Sequence, residues 1–170
     1  DSLDGGLWRH HLGQLAYYRG DFPEALRQFQ QEWRLQAQRP VTSLRGRLQR
    51  SLGNVLTDMG LLASAGRIVE TALAQQRASD DPDRFKTLGR LGEIRIRQGD
   101  QTAARAAYEE SWDLQPASQR EGRTAVYLGH LALLEQDLAQ ADAWYQTAEQ
   151  ADRDQGIAFN PYRLMGRIAL

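Results

Sequence analysis

Three histidines and a spread of acidic residues are the candidates for acid–base or metal chemistry in a chain of 170 residues that has no cysteine. His10 and His11 are adjacent, so on a helix they point about 100° apart and cannot share a metal as histidines four apart do. His130 stands alone. The lack of cysteine removes disulfides, thiolate metal sites and cysteine nucleophiles. Asp152-Arg-Asp154-Gln-Gly156 opens like a calcium loop but lacks the third ligand and the closing glutamate. It reads as a helix end followed by a turn. Gly89-Arg-Leu-Gly92 sits inside a helical pattern with no strand before it, which argues against a phosphate loop. No HExxH, GxxxxGK[ST] or GxSxG sequence is present, and no nucleophile–base–orienter set can be assembled. The expectation is no catalysis, no metal and no cofactor. What remains is arginine, twenty of them against the single lysine Lys86. Arginine grips carboxylates bidentately. The formal net charge of −1 gives no global pull toward nucleic acid or an anionic membrane.

The elements that must position these side chains are written as a repeat. Leu-Gly or its equivalent recurs at Leu12-Gly13, Leu52-Gly53, Leu91-Gly92, Leu128-Gly129 and Met165-Gly166, with glycines 40, 39, 37 and 37 residues apart. Twelve residues after the first four glycines stand Ala25, Ala65, Ala104 and Ala141, and sixteen after stand Phe29, Val69, Tyr108 and Tyr145. Seven after stand Gly20, Gly60 and Gly99, with Gln136 in the fourth case. Asp21, Asp100 and Asp137 follow. The spelling predicts two helices meeting at a tight turn. The turn glycine closes the first helix with positive φ, and the aspartate caps the second. A mid-helix glycine costs about 1 kcal/mol, so its recurrence implies close packing, here glycine against the alanine of the facing helix. Such a pair cannot bury its apolar faces alone, so the units must stack.

Helical patterns run over about 6–19, 21–38, 42–59, 62–78, 83–98, 101–114, 118–135, 138–153 and from Asn160-Pro161 to the end. Trp8, Trp33, Trp112 and Trp144, with Phe29, Tyr108 and Tyr145, fall at packing spacings and read as core. Of Tyr17 and Tyr18, one should face outward. Strand-like alternation is nearly absent, and no apolar run approaches the roughly 18 residues that span a bilayer. The chain starts without methionine and ends just past an anchor glycine, so it reads as one domain excised from a larger protein. Its arginine bias suits a GC-rich bacterial genome. The absence of cysteine suits cytoplasm and periplasm alike, and cytoplasm is the expectation.

From about Leu7 to Leu170 the arrangement resembles the tetratricopeptide repeat, in the subgroup with lengthened helices and 37–40-residue units. The resemblance implies a right-handed α-solenoid of four helix–turn–helix repeats, at about 6–39, 42–79, 82–115 and 118–154, with a capping helix over 160–170. It also implies a concave groove lined by the first helix of each unit. In this sequence the lining positions are Arg47, Arg50, Ser51, Asn54, Thr57 and Asp58, then Lys86, Gly89, Arg90, Glu93, Ile96 and Arg97, then Arg123, Val126, Tyr127, His130, Leu133 and Leu134. Six are basic and two acidic, a formal surplus of +4. Arg163 and Arg167 would extend the strip. A surface of one charge sign focuses its field on a partner. Arg50 with Asn54, Arg90 and Arg123 partly match the carboxylate clamp of chaperone-binding members, although Arg90 stands where asparagine is expected and Tyr127 where arginine is.

The implied function is a protein-interaction scaffold holding a peptide or partner domain, with an acidic segment or a C-terminal carboxylate as the matching chemistry. The alternative is a sensor domain controlling an attached effector such as an ATPase or DNA-binding domain. Base-by-base RNA reading is not expected, because the lining residues do not recur from unit to unit.

Overall fold

A computed structural model describes residues 3–36, 43–116, 120 and 122–156. They form α1 (Leu3–Tyr18), α2 (Phe22–Gln36), α3 (Ser43–Asp58), α4 (Leu62–Ala78), α5 (Arg84–Arg97), α6 (Gln101–Leu114), α7 (Arg123–Leu134) and α8 (Leu138–Asp154), with no strand among the described residues. Each odd-numbered helix packs most densely on the even-numbered helix after it. Every even helix then packs on the next odd one, and α3 touches both α1 and α5. The result is an all-α solenoid of stacked helical pairs.

The turn inside each pair follows from its residues. Gly20, Gly60 and Gly99 have φ of 77°, 78° and 80°, and Gln136 takes the same conformation at 61°. In the first pair the amide of Asp21 donates to the carbonyl of Ala16 and that of Gly20 to Tyr17, both at 2.9 Å. The same two bonds recur in the other three pairs. They satisfy carbonyls that the helix end would otherwise leave unpaired. Asp21, Asp100 and Asp137 each accept, through Oδ1, the amide of the third residue onward at 3.0–3.1 Å, capping α2, α6 and α8. Leu61 holds that place before α4 and makes no side-chain cap.

The packing inside each pair differs from the sequence expectation in one respect. A Cβ added at Gly92 would come within 2.5 Å of the Tyr108 ring, one at Gly53 within 2.6 Å of Val69, and one at Gly129 within 2.8 Å of Tyr145. At Gly13 the nearest group is the Phe29 ring. The glycine therefore makes room for the large residue sixteen positions on, rather than facing the alanine at twelve. Ala25, Ala65, Ala104 and Ala141 are fully buried, and the first three share apolar clusters with residues of the following pair.

Two further expectations are corrected. Trp8 is 67% exposed and Trp33 37% exposed, so neither is core, whereas Trp112 and Trp144 are partly buried and meet edge to face at 5.9 Å. The seventh helix begins at Arg123, five residues later than the pattern suggested. A buried bond from the Gly122 amide to Asp152 Oδ1, 2.7 Å long, holds its start against the end of α8. The expected capping helix, with Met165-Gly166, Arg163 and Arg167, lies outside the described residues.

Candidate binding face on the first helices

The odd-numbered helices carry a polar ladder that crosses from unit to unit. Tyr17 on α1 donates to Asp58 Oδ2 on α3 at 2.6 Å. Arg97 on α5 reaches back to Asp58 Oδ1 at 3.0 Å and to the Thr57 carbonyl at 3.1 Å. Arg50 on α3 donates to Thr87 Oγ1 at 3.3 Å and lies 4.0 Å from Asp83. Lys86 pairs with Asp83 at 2.9 Å. Arg90 pairs with Glu93, and Glu93 accepts the Tyr127 hydroxyl from α7 at 3.2 Å. Tyr127 stacks on Tyr108 with ring centres 4.9 Å apart.

Burial and these carboxylates act together on the phenols. Tyr17 and Tyr127 are each pushed up to about 12, first by burial and then by Asp58 and Glu93 respectively. Tyr108 is raised further, chiefly by burial. His130 packs against Tyr145 and its pKa is lowered by burial.

The lining set is divided rather than uniform. Arg50, Lys86, Arg90 and Arg97 each have a carboxylate in ion-pair range, supplied by Asp58, Asp83 and Glu93. Arg47 and Arg123 have none among the described residues. The Arg47 Nε donor and the Asn54 Oδ1 acceptor are buried without a hydrogen-bond partner. Arg123 is exposed, yet close enough to Tyr108 and Tyr127 to act on their ionisation. Thr57 and Val126 do not line the face: both are buried, and the Thr57 hydroxyl turns inward to the Gly53 carbonyl at 2.6 Å. Tyr18 is the outward tyrosine and Tyr17 the inward one.

Sequence reading missed a second polar series. Twenty-three residues after each anchor glycine stand Gln36, Gln76, Gln115 and Asp152. Gln76 donates to Asp81 at 3.2 Å, Gln115 donates to Thr124 at 3.0 Å, and Asp152 accepts the Gly122 amide. Gln76 and Gln115 tie the end of a second helix to the chain entering the next pair, whereas Asp152 ties the end of α8 back to the start of α7 in its own pair. The fixed spacing was a readable signal. The buried contact of His10 with Glu32, 2.9 Å long, left none, because its partners are 22 residues apart and nothing similar recurs. Among the described residues no group of three or more histidine, cysteine or acidic side chains could hold a metal, and no helix is long and apolar enough to cross a membrane.

A stack of antiparallel helical pairs, nested glycine against large residue and tied by a polar ladder, defines a helical-repeat scaffold. Residues 44–117 match the tetratricopeptide repeat model. No curated protein matches the sequence. Solved structures share the fold at low identity. The Rap conjugation gene regulator of plasmid pLS20, in complex with the Phr* peptide, is 16% identical with a TM-score of 0.85 over 99% of this chain. BtubC (BKLC) from P. vanneervenii is 17% identical with a TM-score of 0.74 over 84% of it. PilW, a type IV pilus biogenesis factor, is 16% identical with a TM-score of 0.76 over 95%. The matches span 47%, 60% and 66% of those three chains. The repeat matched over residues 44–117 is that of protein–protein interaction scaffolds.

Proposed function

We propose that the face of α3, α5 and α7 binds an extended peptide segment bearing carboxylates, either acidic side chains or a free C-terminus. The observation that carries this is the pair of arginines left over by the ladder. Among the described residues Arg47 and Arg123 lack carboxylate partners while their neighbours are paired, and Arg47 Nε and Asn54 Oδ1 are a buried donor and acceptor without hydrogen-bond partners. A peptide supplies the complement of both, since its main chain offers carbonyls and amides and its carboxylates suit the guanidinium fork. The paired arginines hold the ladder rigid, which lowers the ordering cost of binding.

Fluorescently labelled acidic peptides, with free and amidated C-termini, test the reading by anisotropy. Arg47→Ala and Arg123→Ala are each expected to weaken binding about tenfold, the scale of one charge-assisted hydrogen bond. If these two, and Arg50→Ala and Arg90→Ala, bind every such peptide as well as the parent chain does, the face is not a peptide site.

A second reading, a sensor domain inside a longer chain, has one observation in its favour. The fold extends over nearly all of this chain in a gene regulator whose structure holds a peptide. In that reading peptide binding changes the shape of the stack and controls an attached effector. Further domains of a parent chain are part of both readings, and a bacterial cytoplasm is the setting we propose.

A further inference from the structure

The outer face of α1 carries Trp8 and Leu15, seven residues apart and therefore on one side of the helix. Leu15 is 47% exposed, beside the still more exposed Trp8. Their counterparts in the later pairs are buried. Counted from the anchor glycines, Trp8 corresponds to Leu48, Thr87 and Thr124, which are exposed by at most 8%. Leu15 corresponds to Val55, Ile94 and Leu131, exposed by at most 1%.

What covers the counterparts is the preceding pair, in the same way three times. Val55 shares an apolar cluster with Ala25 and Phe29. Ile94 shares one with Ala65 and Val69, and Leu131 one with Ala104 and Tyr108. Each aliphatic plug thus meets the small residue and the large residue one turn apart on the second helix before it. Terminal units of stacked repeats ordinarily turn a polar face outward. On α1 that place is held by a tryptophan and a leucine.

We infer that the outer face of α1 is an inter-unit interface, shaped to receive a helical hairpin. The second helix of that hairpin presents an alanine and, four residues on, a large apolar or aromatic residue. The occupant is defined by this plug-and-socket chemistry, which the chain itself displays at three interfaces. It rests on packing alone and stands independently of the peptide face.

The experiment compares the chain with a version extended at its start by a copy of its own residues 82–116. Direct fusion sets the copied anchor glycine 37 residues before Gly13, the spacing found between Gly92 and Gly129. In the chain as it stands, Leu15→Ala should lower the thermal midpoint by no more than about 2 °C, whereas Leu131→Ala should lower it by about 5 °C or more. In the extended chain Leu15→Ala should cost as much as Leu131→Ala. Because the chain has no cysteine, Leu15→Cys provides a second readout. Its reaction with a thiol reagent should slow at least about tenfold on extension, as burial removes reagent access. Unchanged labelling and an unchanged Leu15→Ala penalty in the extended chain would overturn the inference. So would sedimentation showing the unextended chain as a dimer that Leu15→Asp dissociates, since the occupant would then be a second copy.

Discussion

At the scale of single residues, the same glycine serves opposite ends at neighbouring positions of α5. A methyl at Gly92 would meet the buried Tyr108 ring at 2.5 Å, whereas one at Gly89 would find only Ser111 Oγ at an ordinary 3.7 Å. Gly89→Ala is therefore expected to stabilise by about 0.5–1 kcal/mol, the usual gain from replacing a mid-helix glycine. Gly92→Ala gains the same propensity but overpacks, and the net effect should be a loss of about 1–2 kcal/mol. Urea denaturation of the two variants checks the contrast. Asp152→Ala leaves the buried Gly122 amide without an acceptor and should cost about 1–3 kcal/mol by the same measurement. The tyrosines of the ladder set an alkaline limit. Tyr17 and Tyr127 titrate near 12 in the folded chain against an ordinary 10. A folded pKa raised above the unfolded one means stability that is complete below pH 10 and lost as pH climbs through 12. Thermal midpoints across that range should fall, and Tyr127→Phe should make the fall shallower.

At the scale of the helical pair, sequence legibility was high because the pair is held by local chemistry. The turn needs a residue at positive φ, and glycine at the seventh place after the anchor meets that need at little cost. The aspartate caps are local for the same reason, since they span three residues. The fourth pair is the test of the rule. Gln136 adopts the left-handed conformation at φ 61° with a side chain that disfavours it. Gln136→Gly is expected to raise stability by about 0.5–1 kcal/mol in thermal or urea unfolding, a gain the other three turns already contain. Spacing failed where a contact depends on direction as well as distance. Spacing alone pairs the anchor glycine with the alanine twelve residues on, whereas in the structure it meets the large residue at sixteen. Both positions lie on the facing helix, one turn apart, and only the relative rotation of the two helices selects between them. Trp8 failed similarly: its helical spacing is that of a core residue, but the face it occupies has no neighbour among the described residues.

At the scale of the whole molecule, the pairs are joined through the interfaces between them, as expected of a stack in which each unit touches only its neighbours. The polar ladder from Tyr17 through Asp58 and Arg97 runs along those interfaces, and Glu93 joins α5 to α7. A ligand seated across it would therefore bias the relative placement of α3, α5 and α7. If the sensor reading is correct, small-angle scattering with a saturating acidic peptide should show a change in radius of gyration, and Arg123→Ala should abolish it. A scaffold that holds its partner passively should keep the same curve.

The amino-acid sequence by itself determined the repeat, the turns, the caps and the helical class, because each depends on residues within a few positions of one another. It also placed the arginines on the first helices. Only the tertiary structure decided which of them are neutralised, because Asp58 and Asp83 reach across 39 and 33 residues to Arg97 and Arg50 through the stacking of separate pairs. Only the same stacking decided that, among the described residues, Arg47, Arg123 and Leu15 are without the partners that comparable side chains possess. Local preference shapes a helix or a turn, but it cannot specify which surfaces of two rigid pairs come into contact.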